Sequence, residues 1–446
     1  MADVRQADAR AVALRILCTA ESSRRPSDQV RLPALGRSEL DARARRLVTT
    51  LVQTTYRWQG RADRVLDARL DRGVASLDVC TRNILRLAYV QLFHLDQIPD
   101  YAAVDTAVSL ARRQCGTGKA RLVNRILRGL TLHRPDPEEW AAGAGIAALA
   151  GELSHPGWLL ERWIARWGLE ETRRICAWNN RIPDFHLRVM GGPEGVASAL
   201  DRLRARGLDA SPGRLLEEAV RVCGTFDVAG DSLVLEGGVT IQDESQMLVG
   251  RLWPQPEAGP AVDLCAAPGT KASHLAALLP HDSVFAGDAT LRRVRAIAAT
   301  ARRLGLPNLF AFVADGRRPP LRPIVARVLV DAPCTSLGVL QRRPDARWLR
   351  GAEQIPRAAR LQEALLAGAA RLVRPGGWLL YSVCTLEPEE TERQARGFLA
   401  RQPLFTLQPV PAWVPEEIRG PEGTVRVLPG VLGMEGLYAA LFRRQA

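Results

Sequence analysis

The chain has 446 residues, with 61 basic and 48 acidic side chains, a net charge of +13 and a pI of about 10.1. That length fits about three domains of roughly 150 residues, and 47% apolar content is ample for their cores. No stretch offers the 18 or so uncharged apolar residues of a membrane-spanning helix, and the opening MADVRQADAR lacks an apolar signal core, so a cytoplasmic protein is expected.

The excess of base over acid points to a polyanionic partner, with nucleic acid favoured. Only Lys119 and Lys271 are lysines, so arginine-favouring codon composition is the competing source of the charge. Eight scattered cysteines form no CxxC pair, so neither a metal site nor a disulfide framework is expected.

Residues 1–135 read as helices. Leu47, Val48, Leu51 and Val52 share one helical face, and Ile84, Leu85, Ala88 and Leu92 share another. Ser38 with Asp41 has the spacing of a capping box. Near the end, Leu122, Ile126 and Leu130 face inward, which puts Arg121, Arg125 and Arg128 on the opposite face as candidate phosphate contacts. Residues 134–155 read as a linker, broken by HRPDP and rich in alanine and glycine. SHPGWLLERWIARWG starts a new helix, whose Trp158, Trp163 and Trp167 suit packing. Within 136–250 a small α/β unit follows: FHLRVM as a strand, GVASALDRLRARG as a helix and LVLEGG as a strand.

From residue 251 strands alternate with helices. AVDLCAA, SVFAGDA, LFAFVAD, ARVLVDA and GWLLYSV read as buried strands of a doubly wound parallel sheet, with FTLQPV and LYAALFRR as late strands including an antiparallel edge pair. In such sheets ligands bind beyond the carboxyl ends of the strands. There the sequence sets Cys265 to Lys271 (CAAPGTK), Asp288, Asp315, Asp331 with Cys334, and Cys384. The loop of Cys265, Ala266, Ala267, Pro268, Gly269, Thr270 and Lys271 opens a helix, presents backbone N–H groups and is not a dinucleotide GxGxxG. Asp288, at a strand end, suits ribose hydroxyls.

DAPC followed by RRPD, then YSVC, with VDLCAAPGTK before them, resembles the RNA cytosine-C5 methyltransferases of the Sun/Nop2 type. The order AVALRIL, RARRLVTTLVQTTYRW, TRNILRLAYVQLFHLDQIPDYAAVDTAVSLAR and RLVNRILRGL resembles the NusB-like RNA-binding domain that part of this group carries in front. The resemblance implies a multidomain chain: an all-α NusB-like bundle (1–135), a small α/β RNA-binding subdomain (136–250) and a Rossmann-like class I methyltransferase domain (251–446). It implies S-adenosylmethionine as cofactor, bound by the 265–271 loop, Asp288, Arg293 in a DxxxxR pattern, Asp315 and Asp331. It also implies an RNA-facing loop over Gln341, Arg342, Arg343, Pro344 and Asp345, continued by Trp348 and Arg350. The expected partner is RNA, namely 16S rRNA (a position-967 type of cytosine) or an assembling small ribosomal subunit, met by a monomer away from membranes. A related enzyme acting on tRNA or another rRNA site, and an RNA-binding assembly factor that has lost catalysis, remain as rivals.

The chemistry of that family accounts for two cysteines. C5 of cytosine is too weak a nucleophile unless a thiolate first adds to C6. The sequence leaves open which thiol attacks. DNA cytosine methyltransferases use a Pro-Cys cysteine, here Cys334; the RNA family attacks with the later one, here Cys384, while Cys334 helps release the product and Asp331 holds the base. Three positions depart from the family pattern. Thr270 stands where a second glycine is usual, Val383 precedes Cys384 where threonine is usual, and Glu435-Gly436-Leu437-Tyr438 replaces Asp-Gly-Phe-Phe near the end.

Overall fold

The computed structural model describes residues 8–135, 145–224, 226, 228, 230–254, 259–321 and 325–446. They form two compact units. One runs to Arg181 and includes Leu340–Ala352; the other holds Ile182–Val339 and Glu353–Ala446.

Aspartates set three of the helix starts in the first unit. Asp8 caps α1 (Ala9–Ser23), and after α2 (Ser27–Gly36) Asp41 caps α3 (Ala42–Asp67) by accepting the Ala44 N–H at 2.7 Å. Asp78 caps α4 (Val79–Phe93), which is followed by α5 (Asp100–Cys115) and α6 (Thr117–Leu132). Each such cap satisfies an N–H that the first turn leaves without a partner. Ser38 is not part of the cap: its hydroxyl donates to Leu35 O at 2.8 Å, ending α2 instead. Val48, Leu51, Val52, Ile84, Leu85, Ala88, Leu92, Ile126 and Leu130 are buried in one core, with Leu47 and Leu122 at its margin.

The linker expected over 134–155 is helical in its second half. Ile146–Leu153 forms a helix with Ala148, Gly151 and Leu153 buried, because the alanines and leucines there favour helix more than the glycines oppose it; the expected loop over 136–144 lies outside the described residues. The long helix Gly157–Asn179 follows, kinked at Gly168, with Trp163 buried against His155 and Trp167. The helical unit therefore continues past residue 135, to Arg181.

The segment expected to face RNA is part of this unit. Gln341, Pro344, Asp345, Ala346 and Arg347 are buried. Arg347, with no exposed surface, donates to the carbonyls of Ser154 (3.0 Å), Asn179 (3.1 Å), Arg57 (3.4 Å) and Leu340 (3.4 Å) and to Asn180 Oδ1 (2.7 Å). Asp345 accepts the Ser27 N–H at 2.7 Å, and the Trp348 indole donates to Tyr56 O at 2.6 Å. Burial lowers the Arg347 pKa to about 9. Within a run that reads as a basic loop, Arg347 and Trp348 thus serve as donors to backbone carbonyls. Arg343 is exposed and Arg342 half-buried.

In the second unit β1 (Phe185–Val189), β2 (Asp209–Pro212), β3 (Ala219–Cys223) and β4 (Val239–Ile241) form an antiparallel sheet in the order β2-β3-β1-β4, covered by the helix Gly192–Arg204. LVLEGG is not a strand: Asp231 caps a helical turn at Ser232–Leu235, and the strand begins at Val239.

The larger sheet holds β5 (Ala261–Asp263), β6 (Val284–Asp288), β7 (Leu309–Val313), β8 (Val325–Asp331), β9 (Val373–Val383), β10 (Phe405–Gln408), β11 (Val425–Val427) and β12 (Leu437–Arg444). Its order is β10-β12-β9-β8-β5-β6-β7, with β11 also on β12. β5 to β9 pair in parallel; β10, β11 and β12 pair antiparallel, as expected for the late strands. The chain runs outward from β5 through β6 to β7 and then returns to β8 on the other side of β5. That reversal opens a crevice at the carboxyl ends of β5 and β8.

Candidate active site

Three adjacent strands end in aspartate at this crevice: Asp288 on β6, Asp263 on β5 and Asp331 on β8. β8 and β9 put Asp331 opposite Ser382, and the Ser382 hydroxyl donates to Asp331 Oδ1 at 2.8 Å. Asp331 Oδ2 is ion-paired with Lys271 Nζ at 2.8 Å, and Lys271 also bonds Gln246. Lys271 thereby ties the loop after β5 to the acid at the end of β8.

The turns that leave β8 and β9 bring Cys334 and Cys384 together, their Sγ atoms 3.3 Å apart and both half-buried. The Cys334 thiol is pushed well above the usual value, first by Cys384 and then by burial, so a thiolate on one sulfur leaves the other holding its proton. Ser336 adopts φ 61°, a left-handed conformation that costs a non-glycine residue about 1–2 kcal/mol. It sets the Ser336 hydroxyl 3.8 Å from Cys384 Sγ and 4.0 Å from Cys334 Sγ. Beneath the pair, Gly338 N donates to Cys384 O at 3.1 Å and Gly436 N donates to Gly338 O at 2.8 Å. A Cβ on Gly338 would lie 3.0 Å from Cys384 O and 3.1 Å from Gly436 O, so side chains at either glycine would push the cysteine turn away.

The Cys265–Lys271 loop lies over Asp288, which accepts the Ala267 N–H at 3.2 Å and the Ala289 N–H at 2.7 Å. Gly269 has φ 106°, and a Cβ there would come within 3.2 Å of Ile297 Cα. Both the conformation and the close approach to the helix Leu291–Arg303 call for glycine. Thr270, by contrast, is the first residue of the helix Thr270–Leu278, a position any residue accepts. Its presence in place of a second glycine leaves the turn intact. Arg293 Nε is 3.3 Å from Asp288 Oδ1. Asp315, just past β7, is exposed and paired with Arg317 at 2.7 Å, a bond that lowers its carboxyl to about 2.

The crevice thus brings together Asp331, Cys334, Cys384 and the 265–271 loop, with Asp288 and Arg293 beside that loop. Arg121, Arg125 and Arg128 are exposed on α6, and Arg342 and Arg343 lie in the helical unit. Sequence reasoning missed Asp263, which is fully buried, with Oδ1 accepting the Cys265 N–H at 3.1 Å and Oδ2 lacking a hydrogen-bond partner. Burial, reinforced by Asp331, raises its carboxyl to about 8. Its place at the end of the strand before the loop was the available signal. Also missed were Ser336, Ser382, and a buried network around Glu390 that joins Thr335, Thr385 and Gln362.

Among the described residues one group has potential metal-ligand spacing: Asp78, Cys80 and Cys115, in the helical unit. Both Asp78 oxygens are engaged, by the Thr81 N–H and hydroxyl and by Lys119, whose ammonium opposes a cation there. No helix among the described residues is long and apolar enough to cross a membrane.

A parallel sheet with its crevice at the reversal point, a glycine turn opening a helix, and the antiparallel β12 beside β9 define a class I methyltransferase fold. Family models match in three places: the NusB family over residues 7–131, a ferredoxin-like domain of RsmF/B-like methyltransferases over 155–229, and 16S rRNA methyltransferase RsmB/F over 250–443. The chain is 31% identical to a probable ribosomal RNA small subunit methyltransferase B of Bacillus subtilis, covering 99% of this chain and all of that one. It is 32% identical to the probable enzyme of the same name from Synechocystis, covering 92% and 94%. The crystal structure of PH0851 superposes with a TM-score of 0.81 at 27% identity, covering 98% of this chain and 99% of that one. The chain belongs to the Sun/RsmB family of ribosomal RNA small subunit methyltransferases.

Proposed function

We propose that this protein methylates C5 of a cytosine in 16S rRNA, of the position-967 type, using S-adenosylmethionine and a covalent Cys384–C6 adduct. The observation that carries the reading is the thiol pair at 3.3 Å, at the ends of neighbouring parallel strands and beside Asp331. It acts as a monomer in the cytoplasm, on rRNA alone or in an assembling subunit.

The crevice suits the cofactor. The unpartnered Oδ2 of buried Asp263 is an acceptor or donor in need of a polar ligand group, and the helix Thr270–Leu278 opens from the loop with no side-chain cap at its start. Cys265–Lys271, Asp263, Asp288 and Arg293 would hold S-adenosylmethionine, with Asp315 towards its adenine; the molecule supplies an electrophilic methyl group on a sulfonium.

Asp331 holds the cytosine through N3 and its exocyclic amine, favouring the base protonated at N3. The Cys384 thiolate then forms a bond to C6, and the electron pair displaced from the C5–C6 double bond makes C5 nucleophilic. C5 would take the methyl group as its bond to the sulfonium sulfur breaks, leaving a neutral thioether. Transfer of the C5 proton to water restores the double bond and breaks the C6–S bond, returning the Cys384 thiolate; Cys334 assists this release. A free thiol has a pKa of about 8.5, so a second thiol that keeps its proton favours a single thiolate in the pair.

Methyl transfer from labelled S-adenosylmethionine to 16S rRNA, mapped by bisulfite sequencing, tests the reaction and the target together. Methylation of tRNA or another rRNA site would move the assignment to a related enzyme, and no transfer to any RNA would favour the assembly-factor reading. Asp288→Ala is expected to weaken cofactor binding by about tenfold or more in calorimetry, since it removes the acceptor that also pins Ala267. RNA affinity should be almost unchanged, and equal losses in both would count against the assignment of Asp288.

RNA binding should fall steeply with salt. If Arg121, Arg125 and Arg128 neutralise phosphates, replacing all three by alanine should reduce the slope of log K against log salt by about 2–3. Fluorescence anisotropy across a salt series reads this, and an unchanged slope would leave α6 as a merely solvated face.

A further inference from the structure

Two thiols on separate turns do not meet at 3.3 Å without something to hold the turns. Each cysteine is followed by a threonine, and both threonines reach one carboxylate. Glu390, fully buried, accepts the Thr335 N–H at 3.0 Å, the Thr335 hydroxyl at 2.5 Å and the Thr385 hydroxyl at 3.3 Å. The two hydroxyls lie 2.9 Å from each other. Gln362 Nε2, from the helix Gln354–Ala370, donates to Glu390 at 2.9 Å and to Pro333 O at 3.0 Å, which grips the turn on the other side of Cys334. The backbone of Glu390 is itself anchored, its carbonyl accepting the Tyr381 hydroxyl at 2.7 Å. Val383, on the β9 side of Cys384, is buried among apolar residues, so the hydroxyl that fastens the Cys384 turn is that of Thr385.

We propose that Glu390 is the positioning residue of the cysteine pair: its carboxylate, shared by Thr335 and Thr385, clamps the two turns so that Cys334 stays within reach of Cys384 during turnover. The consequence for turnover rests on the methyltransferase reading above; the clamp itself does not. Glu390 touches neither sulfur in any of these bonds, so it acts through the turns. An acceptor-only group is well matched to a ring of N–H and O–H donors. Glutamine would keep most of the clamp. Its carbonyl can take the place of Oε2, which faces two N–H donors, while its amide meets two hydroxyls free to rotate and accept. Alanine removes every bond.

The test measures thiol proximity without RNA or cofactor. The full-length protein is equilibrated with oxidised dithiothreitol, which is reduced to the dithiol as Cys334 and Cys384 lose their protons and two electrons and form a disulfide. The fraction of Cys334–Cys384 disulfide is read by peptide mass mapping. Glu390→Ala is expected to lower the equilibrium constant for that disulfide by about tenfold or more, given that bonds to a buried charged group are lost. Glu390→Gln should stay within about threefold of the unmodified protein. In methylation assays Glu390→Ala should lower kcat with little change in KM for RNA, and Glu390→Gln should restore most of it. If Glu390→Ala does not fold, Thr385→Val, which deletes one arm of the clamp at nearly constant volume, should shift the disulfide equilibrium in the same direction by a smaller factor. Unmodified behaviour of Glu390→Ala, or of Thr385→Val where it stands in, overturns the proposal. So does an equal loss in the alanine and glutamine variants, which would assign Glu390 a role through its charge. Should the unmodified protein transfer no methyl group, the disulfide equilibria still decide the clamp on their own.

Discussion

Cys334→Ala is expected to accumulate a covalent protein–RNA complex that survives denaturing electrophoresis, while Cys384→Ala yields neither complex nor methylated RNA. The two thiols are 3.3 Å apart at the ends of neighbouring strands, so position alone does not separate their roles; the order of bond making and breaking does. Without the attacking thiol no adduct forms and C5 stays unreactive. Without the releasing thiol, attack and methylation proceed and the last step slows, by roughly 10²–10⁴-fold if it depends on a positioned proton-transfer group. Asp331→Ala should lose both adduct and product, because the base is no longer held and Lys271 loses its ion-pair partner. The reverse pattern, a complex trapped in Cys384→Ala and absent from Cys334→Ala, would exchange the two roles while leaving the reaction type in place.

Arg347→Ala is expected to destabilise the helical unit by at least about 3 kcal/mol. The guanidinium serves five oxygen acceptors, four of them backbone carbonyls, in a site with no exposed surface. Each carbonyl left dry and unpaired costs about 1–3 kcal/mol, and partial relaxation or water entry recovers some of it. Urea unfolding followed by tryptophan fluorescence would measure the loss; a change below about 1 kcal/mol would mean that the carbonyls find other partners. Arg343→Ala, at an exposed position outside the Arg347 network, should change stability by less than about 0.5 kcal/mol.

The parts of the fold that were legible are those where burial writes itself into composition. β5, β6, β8 and the second half of β9 are nearly continuous apolar runs because parallel strands inside the sheet are covered on both faces, and each gives way abruptly to another residue type, at Asp263, Asp288, Asp331 and Cys384; β7, the edge strand, is apolar as well but half-exposed. β2 and β3 escaped because they are only four and five residues long and DASP carries no period; β2 pairs with β3, and β3 with β1. LVLEGG looked extended because leucine and valine suit either state; Asp231, one residue before Ser232, decided for a helical turn. Glu390 sits in a run, EPEE, that reads as a solvated charge cluster, and only the folded chain shows the donors around it. Arg347 was hidden for the opposite reason, since RRPDARW announces charge while the residue's work is to satisfy uncharged oxygens.

That Leu340–Ala352 belongs to the helical unit has a consequence during synthesis. Arg347 and Arg57, which it bonds, are separated by 290 residues. On a ribosome adding about 5–20 residues per second, the helix around Arg57 waits roughly 15–60 s, and the segments at Ser154 and Asn179 roughly 8–40 s, for the residue that completes them. Through that interval they are a half-filled mould with carbonyls facing an empty groove. These helices emerge before the Asp331–Cys334 turn, and their interior is finished only after that turn has also left the ribosome.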